Sequence, residues 1–206
     1  MLVGFYRDQV LPRVIDVALA SREYQAIRRR VAAGLAGDVL EVGFGSGRNV
    51  PHYPADVRRV LAVDPAVVGR KIAARRLAGM PAQVEFVGLD GQSLPVRSAS
   101  IDHALTTWTM CTIPDVAGAL REIHRVLRPG GELHFAEHGR SPDPKVARWQ
   151  DRLNPLQRRA FGGCHLNRPI DRLVTDAGFE ITRLENFYLH GLKASAYTFE
   201  GVARKR

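Results

Sequence analysis

Glu41, Gly43, Gly45, Gly47 and Asp64 are the residues whose types and spacing most clearly suit chemistry. Val39 to Val42 is a short apolar run that stops at glycine, which suits a buried parallel strand. Gly43, Gly45 and Gly47 then make a loop with little side-chain bulk, so backbone N–H groups can approach a ligand closely. A second apolar run, Val60 to Val63, ends in Asp64. A carboxylate at that distance is what ribose recognition in a βαβ nucleotide site needs. The stretch from Asp38 to Asp64 therefore predicts a nucleotide-type ligand, against the plainer reading of a tight turn and an incidental surface aspartate.

Two cofactor types compete for this pattern. A dinucleotide site uses GxGxxG, whose third glycine packs the helix on the strand and whose helix end faces a pyrophosphate. Here the spacing is GxGxG, Arg48 stands where that third glycine would be, and Glu41 precedes the loop. The full string resembles the class I S-adenosylmethionine (SAM) methyltransferases. The resemblance implies an α/β, Rossmann-like fold: a seven-stranded, mostly parallel sheet with a C-terminal antiparallel hairpin and helices on both faces. It implies a SAM site made by Glu41, Gly43, Gly45, Gly47, Asn49, Asp64, Pro65, Asp90, Gly91 and Thr107. The glycine loop would wrap the methionine part, Asp64 would hold the ribose, and Asp90-Gly91 would read the adenine edge. A nicotinamide-dependent oxidoreductase and a non-catalytic nucleotide-binding protein on the same fold stay open as other classes.

Later strings sharpen the resemblance. Cys111-Thr112-Ile113, Ala136-Glu137-His138, Trp149-Gln150 and Gly163 to Arg168 resemble the methyltransferase-like group that contains the animal alkyl-thiol S-methyltransferases. This implies a small-molecule methyl acceptor, either a thiol or sulfide, or a phospholipid or quinone. No counterpart of the hydrophobic N-terminal anchor of the animal proteins is expected here. His138 and His165 are the candidate bases or orienters for the acceptor. Cys111 reads as a buried cysteine at a strand end, and His103, His124 and His134 read as surface residues. Cys164-His165 lack the spaced partners of a zinc site, so no metal is expected from the spacing.

Composition bounds the remaining functions. The chain has 206 residues, 45% of them hydrophobic and 25% charged, as expected of one globular domain. Two cysteines do not make a disulfide scaffold, no apolar run suits a membrane span, and Arg7, Asp8, Arg13 and Asp16 interrupt any signal-peptide core. A cytoplasmic protein is expected. The net charge of +9 suits either nucleic acid or peripheral contact with an anionic membrane surface. The arginines are scattered without interleaved aromatics, and the fourth strand lacks the Asn/Asp-Pro-Pro-aromatic motif of DNA amino-methyltransferases, so nucleic acid is disfavoured.

The elements that must position these residues follow from periodicity. Residues 1–36 read as a helical cap, with Leu11, Val14, Ile15, Ala18 and Leu19 as one apolar stripe and Tyr24, Ile27 and Val31 as a second, started by Ser21. This cap either covers a sheet edge or closes over the cofactor. Residues 38–138 are the cofactor-binding core, with a helix at 67–79 and strands at 84–87 and 101–105. Val116, Ala119, Leu120, Ile123 and Leu127 mark an amphipathic helix that Pro129-Gly130-Gly131 stops. Residues 139–166 read as an irregular insertion walling the substrate side. A helix at 168–177 and strands at 179–187 and 194–203 complete the chain.

Overall fold

The computed structural model describes residues 6–65 and 67–206. A short π-helical turn at Tyr6–Val10 leads into helix α1, Leu11–Ala18, with Pro12 in its first turn, where its missing N–H costs nothing. Helix α2, Arg22–Ala32, starts at Ser21, whose hydroxyl accepts from the Tyr24 N–H. Then follow β1 (Gly37–Val42), β2 (Val57–Val63), α3 (Val67–Leu77), β3 (Gln83–Gly88), β4 (Ile101–Thr107), α4 (Val116–Val126) and β5 (Leu127–His138). The C-terminal part comprises α5 (Pro144–Ala160), α6 (Ile170–Asp176), β6 (Phe179–Tyr188), a helical turn α7 (Lys193–Ala196) and β7 (Tyr197–Lys205).

The strands form one seven-stranded sheet in the order β3-β2-β1-β4-β5-β7-β6. The pairs from β3 through β5 are parallel, whereas β7 runs antiparallel to both β5 and β6. Chain order reverses between β1 and β4, so a crevice opens there at the carboxyl ends of the strands. Two apolar cores lie on the two faces. Leu40, Val42, Leu120, Ile123 and Phe135 belong to one; Ile27, Val31, Val39, Ala62 and Leu105 belong to the other. Burial on both faces explains why β1 reads as a continuous apolar run rather than an alternating one.

Several sequence expectations are corrected. Residues 139–166 are not irregular: most of them form α5. Pro144 occupies its first turn and Asp143 caps it by accepting from the Lys145 N–H. The helical period was hidden because its buried side carries Gln150, which is fully buried and donates to the Gly139, Leu166 and Ala194 carbonyls. The stripe of α1 is largely exposed: only Leu11 is buried, while Val14 and Ile15 are exposed. His134 is buried beneath α2 rather than at the surface. Pro129-Gly130-Gly131 lies inside β5 beside an irregularity in its register with β4. Ala194 to Ala196 belong to α7, and β7 begins only at Tyr197.

Candidate active site

A cavity of about 790 Å³ lies at the carboxyl ends of the strands around the switch point, a size that accommodates a nucleoside cofactor and a small partner. Gly43, Gly45, Asp64, Pro65, Asp90, Gly91 and Thr107 line it. Glu41, Gly47 and Asn49 are not on its wall. They form the layer behind it, where the Asn49 amide donates to Glu41 at 2.8 Å and to Thr107 Oγ1 at 3.0 Å, and the Tyr53 hydroxyl donates to Glu41. Burial pushes the Glu41 carboxyl up to about 8, opposed by the Asn49 hydrogen bond and by the positive charge of Arg28. The glutamate before the glycines therefore ties β1, the turn after the loop and β4 together.

The glycine loop is shaped by close approach. Gly43 has φ +83°, and a Cβ there would lie 1.9 Å from the Thr109 hydroxyl. A Cβ on Gly69 of α3 would lie 2.7 Å from the Gly45 carbonyl oxygen, so this glycine lets the helix seat against the loop. Asp64, at the end of β2, accepts from the Gly45 N–H at 2.8 Å and is mostly buried. Asp90 accepts from both the backbone and the side chain of Gln92, which hold its carboxyl below the usual range, and Gln92 accepts in turn from the Asp115 N–H.

Arg28 and Trp108 carry weight that no local motif marks. Arg28 lines the cavity from α2 and is buried. It donates to Asn49 Oδ1 and Thr107 Oγ1, each at 2.8 Å, and its guanidinium stacks over the Trp108 ring at 4.8 Å. Burial brings its pKa down to about 10, so it stays charged at neutral pH. Its Nε is buried and has no partner among the described residues. Trp108 also lines the cavity, adopts φ +50° and has a buried Nε1 without a partner among the described residues. Left-handed backbone in a tryptophan is costly and typical of functional loops.

Asp16 latches α1 to this site. It accepts from the Ser46 hydroxyl at 2.5 Å, from Arg48 Nε at 2.8 Å and from Arg76. Burial opposes its ionisation, but these three partners outweigh burial and hold its carboxyl below the ordinary value. A carboxyl lowered by folding adds stability above its unfolded value, near 4, and loses it as pH falls through the folded value. Local opening of α1, read from hydrogen-exchange protection factors corrected for the intrinsic pH dependence, should therefore stay rare through neutral pH and rise in acid. Asp16→Asn should raise it already at pH 7, by about 1–2 kcal/mol of local opening free energy. Equal exchange in both proteins at pH 7 would remove the latch.

Neither candidate histidine faces the cavity. His138, at the end of β5, is buried with Nε2 3.1 Å from Cys164 Sγ. His165 lies half-buried in the loop after α5, and its backbone N–H donates to the Cys111 carbonyl. Cys111 is buried, as expected of a strand-end cysteine. Glu137 works behind the wall: one carboxylate oxygen accepts from Thr106 and from the Thr109 and Met110 N–H groups, and Arg168 donates to the Met110 and Ile113 carbonyls. Together they hold residues 106–113, of which Thr109, Thr112 and Ile113 reach the cavity. From residues 139–166, Phe161 and Gly162 line it.

Residues 40–135 match the family described as Methyltransferase domain. A human thiol S-methyltransferase, TMT1A, is 33% identical over 160 residues, covering 75% of this chain and 65% of the relative. The chain thus spans just under two thirds of that relative's length. A phosphatidylethanolamine N-methyltransferase from Cereibacter sphaeroides is 28% identical over 166 residues, covering 75% of this chain and 77% of the relative. A SAM-dependent methyltransferase structure from Thermotoga maritima superposes with a TM-score of 0.71 over the whole of both chains at 20% identity, which establishes the fold. Residues 40–135 thus carry the Methyltransferase domain match, and the chain as a whole adopts the class I methyltransferase fold.

Proposed function

We propose that this protein transfers a methyl group from SAM to a small thiol or sulfide. The cavity fits the cofactor on its own terms. The glycine loop leaves open wall at Gly45, where a Cβ would meet nothing closer than 3.9 Å. Asp64 offers a carboxylate at the end of β2, and Arg28 offers a buried cation facing the same space. Asp64 takes the ribose, Asp90 and Gly91 the adenine edge, and Arg28 the methionine carboxylate. SAM supplies an electrophilic methyl group on a sulfonium. The protein's part is to align the acceptor with that methyl and exclude water. Phe161, Ile15 and Leu19 line the same cavity and suit an apolar acceptor.

The observation that carries the thiol reading is the character of the wall. Among the described residues no histidine or lysine lines the cavity; its titratable side chains are aspartates and arginines. An alcohol would find no base of suitable pKa there, whereas a thiol, near pKa 8.5, supplies part of its own anion at neutral pH. The relatedness to a thiol S-methyltransferase points the same way. A lipid amine is the second reading, favoured by the phosphatidylethanolamine N-methyltransferase relative.

Turnover at subsaturating acceptor, measured against pH for a series of thiols, tests the proposal. The midpoint should track each thiol's own pKa. A single midpoint near pH 6.5 for all acceptors would instead implicate an enzyme histidine, with His138→Gln and His165→Gln the variants to compare. Methylation of an amine lipid with no thiol turned over would overturn the thiol reading.

A further inference from the structure

Away from the cavity, three side chains converge on the face of the sheet that α2 covers. His103 of β4 stands in register with Glu132 of β5, and His134 lies two residues further along β5 on the same face. One donor atom from each lies within 4.8 Å of the others. The rings of His103 and His134 meet edge to face with centroids 5.4 Å apart.

Hydrogen bonding decides what these atoms can do. His134 Nδ1 is 2.8 Å from the Val31 carbonyl oxygen, which can only accept, so Nδ1 carries the proton. The other nitrogen, Nε2, then presents a lone pair. It is buried, has no hydrogen-bond partner among the described residues and faces Glu132 Oε2 at 3.6 Å, so two acceptors confront each other. His103 Nδ1 is likewise buried without a partner. Unpaired acceptors of this kind are costly unless something positive lies between them.

We propose that His103, Glu132 and His134 form a binding site for a divalent transition-metal ion, zinc being the best match. Two imidazoles and one carboxylate are a zinc donor set that leaves a fourth position to water. The surroundings supply the supporting layer such sites need. Val31 fixes the tautomer of His134, and Arg204 donates to the other Glu132 oxygen at 2.9 Å. Val31 belongs to the last turn of α2, whose free carbonyl ends carry partial negative charge and favour a cation nearby. Arg183 and Arg204 oppose it, which argues for an ion held through nitrogen donors rather than a hard cation held by charge. His103 and Glu132 are only partly buried, so the ion has a route in. Because His134 bonds α2, and α2 carries Arg28, the ion would brace the helix that lines the cofactor cavity.

The test uses the full chain under reducing conditions, with zinc alone as the added ligand. A second trio, Cys111, His138 and Cys164, also brings three donors together and must be separated from the first. One equivalent of zinc should bind, and zinc at about 100 times its Kd should raise Tm by roughly 5–10 °C. His103→Ala and Glu132→Gln should each weaken zinc binding by about 100-fold or more, and Cys164→Ser should leave it unchanged. His103 is half-exposed, so its variant should fold, and far-UV dichroism checks this. Zinc binding lost in Cys164→Ser but kept in His103→Ala would overturn the proposal, as would the absence of any zinc-dependent shift in Tm. Cobalt in place of zinc should give the visible spectrum of nitrogen and oxygen ligation; a strong sulfur charge-transfer band would likewise overturn it. Neither readout depends on the methyl acceptor.

Discussion

Asp64→Ala is expected to weaken SAM binding by about 10- to 150-fold, the loss of roughly 1.5–3 kcal/mol carried by hydrogen bonds to a charged group. Two losses combine in that number. The carboxylate no longer receives the ribose hydroxyls, and the Gly45 N–H loses the acceptor that holds the glycine loop against β2. Asp64→Asn separates them, because an amide oxygen can still accept from Gly45 but without charge. Calorimetry with S-adenosylhomocysteine and its 2′-deoxy analogue closes the cycle. The analogue should bind the natural protein weakly and should lose little more in Asp64→Ala. Equal Kd values in natural and variant proteins would remove Asp64 from the cofactor site.

The site was legible in the sequence where its parts are local. Glu41 to Gly47 and Asp64 fall on two neighbouring parallel strands, β1 and β2, and the loops that leave them, and a glycine loop between buried strands has few other uses. Even so, spacing did not separate lining residues from supporting ones. Glu41 and Asn49 stand behind the wall because their side chains bond each other and Asn49 also reaches Thr107, and Gly47 packs there against Ala73, Phe44 and Val50. Arg28 was invisible for a different reason. Its partners Asn49 and Thr107 are far away in sequence, and one arginine in an arginine-rich helix carries no local mark. The same holds for His134, whose burial depends on α2 crossing β5. Residues 139–166 were misread because two prolines and a buried, fully bonded glutamine masked the helical period of α5.

The second large effect is expected at Arg28. Arg28→Met keeps much of the apolar stem against Trp108 but removes the guanidinium. The Asn49 and Thr107 oxygens then lose their donor, which should lower folding stability by about 1–3 kcal/mol. If the same cation holds the methionine carboxylate of the cofactor, removing one partner of a buried charge pair costs about 2–5 kcal/mol, so SAM should bind about 30-fold more weakly or worse. A loosened wall would weaken every nucleoside ligand alike, whereas a lost carboxylate clamp would not. Methylthioadenosine has the adenosine and the sulfur but no carboxylate, and it discriminates between these causes. In Arg28→Met its Kd should match that of the natural protein within a few fold, while S-adenosylhomocysteine loses most of its affinity. Arg28→Lys should recover only part of the loss, because one ammonium replaces a fork that serves Asn49, Thr107 and the ligand at once. Parallel weakening of both ligands would show that Arg28 acts only by bracing β4 and the glycine loop.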